Sequence, residues 1–308
     1  MYAVTAEGLV RRYGEKEALR GLDLTVSAGE CLGLVGPNGA GKTTTIKLLL
    51  GLLKPTAGKA EVLGFPAGHP AVRRRVGYSP ETPHFYPFLT ARETLDFFRK
   101  LAGLRPGQVD AASILRTAGL ADAADARVAG FSKGMVQRLA VAQALVGDPD
   151  VLFLDEPSSG LDPVGRVEMR NLVRELKAAG KTIFLNTHII ADVEQLADRV
   201  AMLKAGRLAA LCDMRTETTA GVAARVEGLT PAGLEGLRSL GLRVAYEGDR
   251  LTLAGLAPGQ EPDVVARLVA AGARIYSFAP QHVSLEHRFV SLMEGGTGDD
   301  GAGLECHS

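Results

Sequence analysis

Hydrophobic runs of strand length recur along the first two thirds of the chain. Three of them are apolar almost throughout, and they lie at 31–35, 151–154 and 182–185. Unbroken runs of this kind are typical of parallel strands buried on both faces, whereas a strand with one wet face alternates. Stretches suited to helices follow these runs, at 42–53, 164–179 and 190–197. The pattern predicts a parallel sheet flanked by helices, which is an α/β fold.

Shorter strands and a group of helices fill the rest of this region. Strands are expected at 3–9, 18–26, 60–63, 76–81, 199–203 and 207–211. Thr90 and Glu93 fit a capping box that opens a helix through Leu101. Further helices at 108–119 and 121–128, and one that begins after Ser132, complete a helical subdomain at about 82–147.

The composition shifts after about residue 215, and the order of elements changes with it. Strands and helices are then expected in the order β-α-β-β-α-β, at 221–229, 231–240, 242–247, 251–256, 261–271 and 273–278. That order is the split βαβ arrangement of a small ferredoxin-like sandwich. We therefore expect one domain at 1–215 and an α+β domain at 216–294, closed by a helix at 284–293. The Gly- and Asp-rich residues 295–308 are expected to be disordered.

Composition and charge narrow the possible function classes. The 308 residues carry 35 Lys and Arg against 35 Asp and Glu, so the basic excess typical of nucleic-acid binders is missing. No apolar run approaches the length of a membrane-spanning helix, and the N-terminus lacks the layout of a signal peptide. Cys31, Cys212 and Cys306 make no disulfide framework, and Cys306 with His307 offers too few ligands for a metal site. We expect a cytosolic protein that binds no nucleic acid.

A glycine-rich loop carries the strongest chemical signal. Between the predicted strand at 31–35 and the helix at 42–53, the chain reads Gly-Pro-Asn-Gly-Ala-Gly-Lys-Thr-Thr. Gly36, Gly41, Lys42 and Thr43 satisfy the pattern G-x-x-x-x-G-K-[ST] in the strand–loop–helix context that confirms it. Such a loop turns backbone N–H groups and a helix N-terminus toward phosphate oxygens. Lys42 would reach the β- and γ-phosphates and the Thr43 hydroxyl would bind Mg²⁺. The loop predicts binding of a nucleoside triphosphate.

Polar side chains stand at the carboxyl ends of the other two apolar runs. Asp155 and Glu156 follow the run at 151–154, and His188 closes the strand that starts at 182. Carboxylates at the end of a core strand are costly to bury unless a cation compensates their charge. Ligands of open α/β sheets bind at this edge. A separate feature is Ser132, which marks a second helix N-terminus that attracts anions.

In this order, the motifs resemble those of the ATP-binding cassette (ABC) ATPases. The resemblance rests on the phosphate loop, the turn at Glu81, Ser-Lys-Gly-Met at 132–135, Asp155-Glu156, Ser-Gly-Leu-Asp at 159–162 and His188. It covers about residues 1–215, and its most specific part is the segment 131–138 followed closely by the strand that ends in Asp155-Glu156. It implies a P-loop ATPase with a RecA-like core and a helical subdomain, which hydrolyses ATP with Mg²⁺.

The same resemblance implies a role for each residue around ATP. Tyr13 would stack on adenine, Glu156 would polarise the attacking water, and His188 would contact the γ-phosphate. Thr43, Asp155 and Glu81 would lie on Mg²⁺. The nine loop residues would hold the phosphates, with Lys42 also catalytic: Gly36, Pro37, Asn38, Gly39, Ala40, Gly41, Lys42, Thr43 and Thr44. Four others would complete the ATP site of a second copy: Ser132, Lys133, Gly134 and Asp162.

Two departures from the family pattern refine this interpretation. Glu81 stands where the family usually has glutamine, and Phe-Ser-Lys-Gly-Met replaces Leu-Ser-Gly-Gly-Gln. Glu81 adds negative charge beside the triphosphate, and Lys133 adds positive charge that could partly offset it. Both look like the ATPases of ABC-2-type exporters, whose permeases are separate chains. The implied partners are a second copy and a polytopic permease, and the implied location is peripheral, on the cytoplasmic face of the inner (plasma) membrane.

Two other functions stay open at this point. The first is a soluble cassette ATPase that acts in translation, DNA maintenance or cluster assembly. Its translation types carry two tandem cassettes and its DNA-maintenance types insert long coiled coils, whereas this chain shows one cassette without such an insertion. The second is a P-loop kinase or GTPase. The chain lacks a guanine-specificity motif such as Asn-Lys-x-Asp, and this function would leave the segment 131–138 unexplained.

Overall fold

The computed structural model describes residues 1–214, 221–256 and 259–281, together with Leu285 and Phe289. Contacts between residues divide the chain into two units, one over Met1–Asp213 and one that begins at Met214. The predicted helix at 284–293, the tail at 295–308 and the Cys306-His307 pair lie outside the described residues, apart from Leu285 and Phe289.

The first unit holds two sheets. The strands of the smaller, antiparallel sheet follow the order β2-β1-β4-β5, and those of the larger sheet follow β10-β9-β3-β8-β7-β6. In chain order the strands are β1 (Tyr2–Tyr13), β2 (Lys16–Ser27), β3 (Cys31–Val35), β4 (Ala57–Val62), β5 (Phe65–Pro66), β6 (Val76–Ser79), β7 (Val151–Asp155), β8 (Thr182–Asn186), β9 (Arg199–Lys204) and β10 (Arg207–Asp213). The larger sheet is parallel except for the edge hairpin of β9 and β10.

Three strands at the centre of the larger sheet are buried along their whole length. They are β3, β7 and β8, and every residue in them is buried. The predicted parallel α/β arrangement is therefore confirmed. Because parallel strands end at the same edge, the carboxyl ends of these three deliver the phosphate loop, Asp155 and Asn186 to one place.

Six α-helices belong to the first unit. They are α1 (Lys42–Leu49), α2 (Ala91–Leu101), α3 (Ala111–Thr117), α4 (Lys133–Ala144), α5 (Pro163–Ala178) and α6 (Ile190–Leu196). The capping box at α2 is confirmed, because Thr90 accepts from the Glu93 N–H at 3.1 Å and Glu93 accepts from the Thr90 N–H at 2.8 Å. Ser132 caps α4 in the same manner, accepting from the Met135 N–H. No helix in the described ranges is long and apolar enough to cross a membrane.

Helices α2, α3 and α4 bury a core of their own. Ala91, Leu95, Leu115 and Leu139 lie at its centre and are fully buried. A separate cluster, which includes Leu34, Ile46 and Phe153, fills the space between the two sheets and α1. The helical subdomain thus has its own packing centre.

Several predicted elements have the wrong bounds or type. The helix predicted at 42–53 ends at Leu49, and the segment 121–128 forms two short 3-10 turns, Ala121–Ala123 and Val128–Gly130, rather than a helix. Its backbone bonds partly to a neighbouring segment, since the Val128 N–H donates to the Leu89 carbonyl and the Arg92 N–H donates to the Ala124 carbonyl, both at 2.9 Å. A two-residue strand, β5, lies inside the predicted loop at 64–70.

The second unit has the predicted β-α-β-β-α-β order. Its elements are β11 (Gly221–Glu227), α7 (Pro231–Arg238), β12 (Arg243–Glu247), β13 (Arg250–Ala254), α8 (Glu261–Ala270) and β14 (Arg274–Gln281). The sheet is antiparallel with the order β12-β13-β11-β14, which is the ferredoxin-like arrangement. Val226, Leu251, Leu253 and Leu268 are fully buried in its core.

Candidate functional site

The phosphate loop joins β3 to α1 in a shape that requires two of its glycines. Gly41 precedes α1 with φ 110°, in the left-handed region. A side chain on Gly36 would lie 2.5 Å from the Leu203 carbonyl oxygen, so this position also needs glycine. The Gly206 N–H donates to the Ala40 carbonyl at 3.0 Å and holds the loop against the β9–β10 hairpin. Contacts within the protein therefore fix the shape of the loop.

A Gly41→Ala variant is expected to lose most of its affinity for the triphosphate. The new methyl group would lie 2.6 Å from the Ala18 oxygen and 2.7 Å from Leu19 Cδ2, and left-handed backbone costs about 1–2 kcal/mol in residues other than glycine. Gly180→Ala is the matched control, because Gly180 also has positive φ but lies outside the cleft lining, and no atom lies within 4 Å of its added Cβ. ATP titrations of both folded variants measure the difference. Equal affinities would contradict the steric argument.

The Lys42 side chain is hydrogen-bonded to the loop itself. Its Nζ donates to the Gly36 carbonyl at 2.7 Å and to the Pro37 carbonyl at 3.3 Å, and the residue is buried. Burial lowers the pKa of Lys42, and the negative charges of Glu156, Asp155 and Glu81 oppose that shift. The carboxylates thus favour the ammonium ion that a triphosphate would require.

An open cleft of about 580 Å³ runs along the loop. Ten of the predicted site residues line it: Tyr13, Asn38, Gly39, Gly41, Lys42, Thr43, Thr44, Glu81, Glu156 and His188. Lys16, Ala18 and Asn186 line it as well. Gly36, Pro37 and Ala40 belong to the loop but do not face the cleft. The structure thus gathers most of the residues predicted to contact ATP.

Asp155 is buried at the end of β7 and held by two neighbouring strands. The Asn186 amide on β8 donates to Asp155 Oδ1, and the Tyr78 hydroxyl on β6 is also hydrogen-bonded to this carboxylate. Burial raises the pKa of Asp155, the Asn186 bond lowers it, and nearby Glu81 and Glu156 raise it further. Burial, together with the Asp155 charge, raises the pKa of Tyr78 to about 12. Asp155 therefore sits in a fixed position with an excess of negative charge around it.

Glu156 and His188 form a pair at the mouth of the cleft. His188 Nδ1 lies 2.7 Å from Glu156 Oε2, and the His188 N–H donates to the same oxygen at 3.3 Å. The Glu156 backbone is left-handed, with φ 52°, and its N–H donates to the Asn186 carbonyl at 2.8 Å. Left-handed conformations in residues other than glycine cost energy and concentrate at functional sites. This conformation directs the Glu156 side chain toward His188 rather than along the strand.

Besides Gly36, Pro37, Ala40 and Asp155, four predicted residues are absent from the lining of this cleft. Ser132, Lys133 and Gly134 stand at the N-terminus of α4, and Asp162 caps α5 by accepting from the Gly165 N–H at 2.8 Å. Ser132, Lys133 and Asp162 are exposed. A link between the two regions does exist, since Gln137 of α4 donates its Nε2 to the Glu81 carbonyl at 3.1 Å.

Some residues of the site carried no specific sequence signal. Asn186 ends an apolar strand, and its polarity alone did not show that it bonds to Asp155. Tyr78 lies two residues before Pro80, and only the pairing of β6 with β7 places it beside Asp155. Tyr13 lies outside the predicted strands at 3–9 and 18–26, but in the structure it ends β1 and is paired with Lys16. That pairing explains why Lys16 reaches the same cleft.

Known proteins resemble this chain both in sequence and in fold. The family model described as ABC transporter matches residues 19–159. An ABC transporter ATP-binding protein of Nostoc sp. is 40% identical over 285 residues, which are 90% of this chain and 83% of that protein. The fluoroquinolones export ATP-binding protein of Mycobacterium tuberculosis is 45% identical over 219 residues, 70% of this chain and 71% of that protein. A solved dimeric, post-hydrolysis ATP-binding cassette bound to ADP and Pi is 25% identical, with a TM-score of 0.62 over 69% of this chain and 99% of that chain.

Proposed function

Because this chain belongs to the family of ABC transporter ATP-binding proteins, we propose that two copies of it close around two ATP molecules and power an ABC-2-type exporter. The chain is an ATPase, as its family indicates. One observation carries the proposal: Lys42 and Glu156 line the cleft, whereas Ser132 and Asp162 do not. Each copy would therefore hold an incomplete site, which the other copy completes.

The helix that begins after Ser132 suits this role. It is 12 residues long, its N-terminus is exposed, and no acidic side chain lies in its first turn. A helix N-terminus attracts phosphate because its first N–H groups lack intrahelical partners. Lys133 adds a cation at the same place and carries no ion pair with a described residue. This end of α4 would bind the γ-phosphate of the second copy's ATP.

The residues present fit a magnesium ion that enters with ATP. Mg²⁺ prefers oxygen ligands and is usually bound by one or two carboxylates together with substrate phosphates. Thr43 and Glu81 line the cleft, and Asp155 is joined to it through Asn186. In the described ranges no group of three or more His, Cys, Asp or Glu side chains forms a metal cage. When bound, the ion would neutralise charge on the β- and γ-phosphates.

Within this proposal, Glu156 orients and polarises the water that attacks the γ-phosphate. His188 fixes the Glu156 carboxylate through Nδ1 and leaves Nε2 to face a phosphate oxygen. Lys42 exchanges its bonds to the loop carbonyls for bonds to the β- and γ-phosphates. Phosphoryl transfer depends mainly on positioning and charge stabilisation, and these residues supply both.

An aromatic surface near the cleft is the proposed contact for a separate, polytopic permease. Tyr86 and Phe88 are 51% and 64% exposed, and their rings lie 5.5 Å apart. Phe97 of α2 packs edge-on against Tyr86 at 5.5 Å. Exposed aromatic rings in one group are typical of protein interfaces. Since the loop from Glu81 leads directly into this surface, a permease segment bound here would be close to the nucleotide. This partner would hold the chain on the cytoplasmic face of the membrane.

Membrane fractionation tests the link to transport. The chain is expected to sediment with membranes and to co-purify with a polytopic protein, because the proposed permease would hold it there. A Tyr86→Asp, Phe88→Asp double variant is expected to move to the soluble fraction and to keep ATP binding. Tyr2→Asp is the control, because Tyr2 is similarly exposed, at 58%, but belongs to another surface.

Recovery of the unmodified chain in the soluble fraction alone would favour the second candidate, a soluble cassette ATPase that is not coupled to transport. The sequence relationship supports the exporter, since a relative of 45% identity is named for fluoroquinolone export. The cargo would be selected by the permease. The experiment therefore separates transport from other uses of the same ATPase chemistry.

A further inference from the structure

Arg11 lies beneath the aromatic ring that is proposed to contact adenine. Its guanidinium carbon is 4.6 Å from the centroid of the Tyr13 ring, a distance at which a cation is attracted to the ring face. The two residues are two positions apart near the end of β1, and their contact shows that the side chains meet despite the register shift between Arg11 and Arg12. Arg11 thus covers one face of the ring.

A backbone carbonyl from another segment fixes this arginine. Arg11 Nη1 donates to the Lys54 carbonyl at 2.9 Å, and Arg11 Nε is buried without a hydrogen-bond partner among the described residues. A buried N–H group without a hydrogen-bond partner destabilises the fold, so we expect another interaction to compensate for its burial. Attraction to the π-face of Tyr13 is such an interaction, since the ring stabilises the positive charge of the guanidinium. Neighbouring Arg12 differs, because it pairs with Glu17 at 2.6 Å.

Tyr13 itself is 45% exposed and lines the cleft beside the phosphate loop. We propose that Arg11 is a positioning residue for nucleotide binding, which holds the Tyr13 ring so that its open face stacks on the purine base. The inference rests on the proposed function, in which Tyr13 contacts adenine. A ring fixed in advance loses less side-chain freedom when the base binds, and this raises affinity. Arg11 would act without contacting ATP.

The test compares a ligand that has a base with one that lacks it. In an Arg11→Met variant, the Kd for ATP is expected to rise about two- to fivefold, because one cation–π contact no longer orients the ring. The Kd for inorganic tripolyphosphate is expected to stay unchanged, since that ligand reaches the phosphate loop without touching Tyr13. Isothermal titration of both ligands on the full chain measures the two constants. Arg12→Met is the control and is expected to change neither.

Two further single variants and one double variant keep this result separate from the proposed function. Tyr13→Ala is expected to weaken ATP binding at least about fivefold through loss of base stacking, and Arg11→Met should have no added effect in that background. Arg11→Lys, which keeps the charge, is expected to restore part of the ATP affinity. An unchanged ATP constant in Arg11→Met, or equal loss of ATP and tripolyphosphate binding, would overturn the inference. Unchanged ATP binding in Tyr13→Ala would instead overturn the role of Tyr13.

Discussion

A Glu156→Gln variant is expected to hydrolyse ATP about 10²–10⁴ times more slowly while it still binds ATP, because a positioned general base typically contributes that factor. The amide keeps the size of the side chain and can still face His188, but it cannot accept a proton from water. With hydrolysis blocked, the closed pair of copies should persist. Size-exclusion chromatography with ATP and Mg²⁺ is expected to show a dimer, and a steady-state phosphate assay measures the loss of rate.

Glu168→Gln is the matched control for this result. Glu168 carries a carboxylate on α5 that lies 3.5 Å from Arg138 and does not line the cleft. This variant is expected to hydrolyse ATP at the normal rate and to show no trapped dimer. A Glu156→Gln chain that stays monomeric with ATP and hydrolyses it normally would refute the assignment of Glu156 as the base.

A Ser132→Asp variant is expected to lose hydrolysis by at least about a hundredfold, with its own ATP affinity unchanged. Aspartate is as good a helix cap as serine, so α4 should keep its N-terminus. Its negative charge, however, would repel the γ-phosphate held by the second copy, and like charges at an interface cost several kcal/mol. Binding to the isolated chain is measured by ATP titration, and hydrolysis by phosphate release. We expect the ATP titration to give a normal affinity and the phosphate assay to give a reduced rate.

Thr230→Asp makes the same exchange at another helix. Thr230 caps α7 in the second unit and accepts from the Gly233 N–H at 3.2 Å, as Ser132 does for Met135 in α4. It is expected to leave both binding and hydrolysis unchanged. Normal hydrolysis by Ser132→Asp would mean that one copy is sufficient, and the proposal of a shared site would fall.

Local patterns predicted the central strands and the loop well for a physical reason. The residues 31–35 and 151–154 are apolar throughout because both faces of those strands are buried, and few other structures tolerate such runs. The phosphate loop was equally clear, since positive φ at Gly41 and close packing at Gly36 require glycine at those positions. Sequence predicts structure well at positions where the backbone conformation or the packing permits only certain residue types.

Contacts between distant segments could not be predicted in the same way. The segment 121–128 has helical composition, but its backbone bonds to residues near Leu89, and nothing local reveals that choice. Tyr78 and Asn186 meet Asp155 because β6, β7 and β8 are neighbours in the sheet. The contact of Arg11 with Tyr13 likewise depends on the Lys54 carbonyl, 43 positions away. Contacts of this kind form only when distant segments come together in the folded chain, so no local pattern reveals them.

The separate core of α2, α3 and α4 has an evolutionary consequence. Leu95, Leu115 and Leu139 pack with one another, whereas Leu34 and Phe153 belong to the cluster between the sheets. Substitutions that reshape the helical group can therefore accumulate while the sheet that carries Lys42 and Glu156 stays intact. A lineage of such proteins could then change its proposed membrane partner and keep the same ATP chemistry. Divergence should then be fastest around Tyr86 and Phe88 and slowest at the ends of β3, β7 and β8.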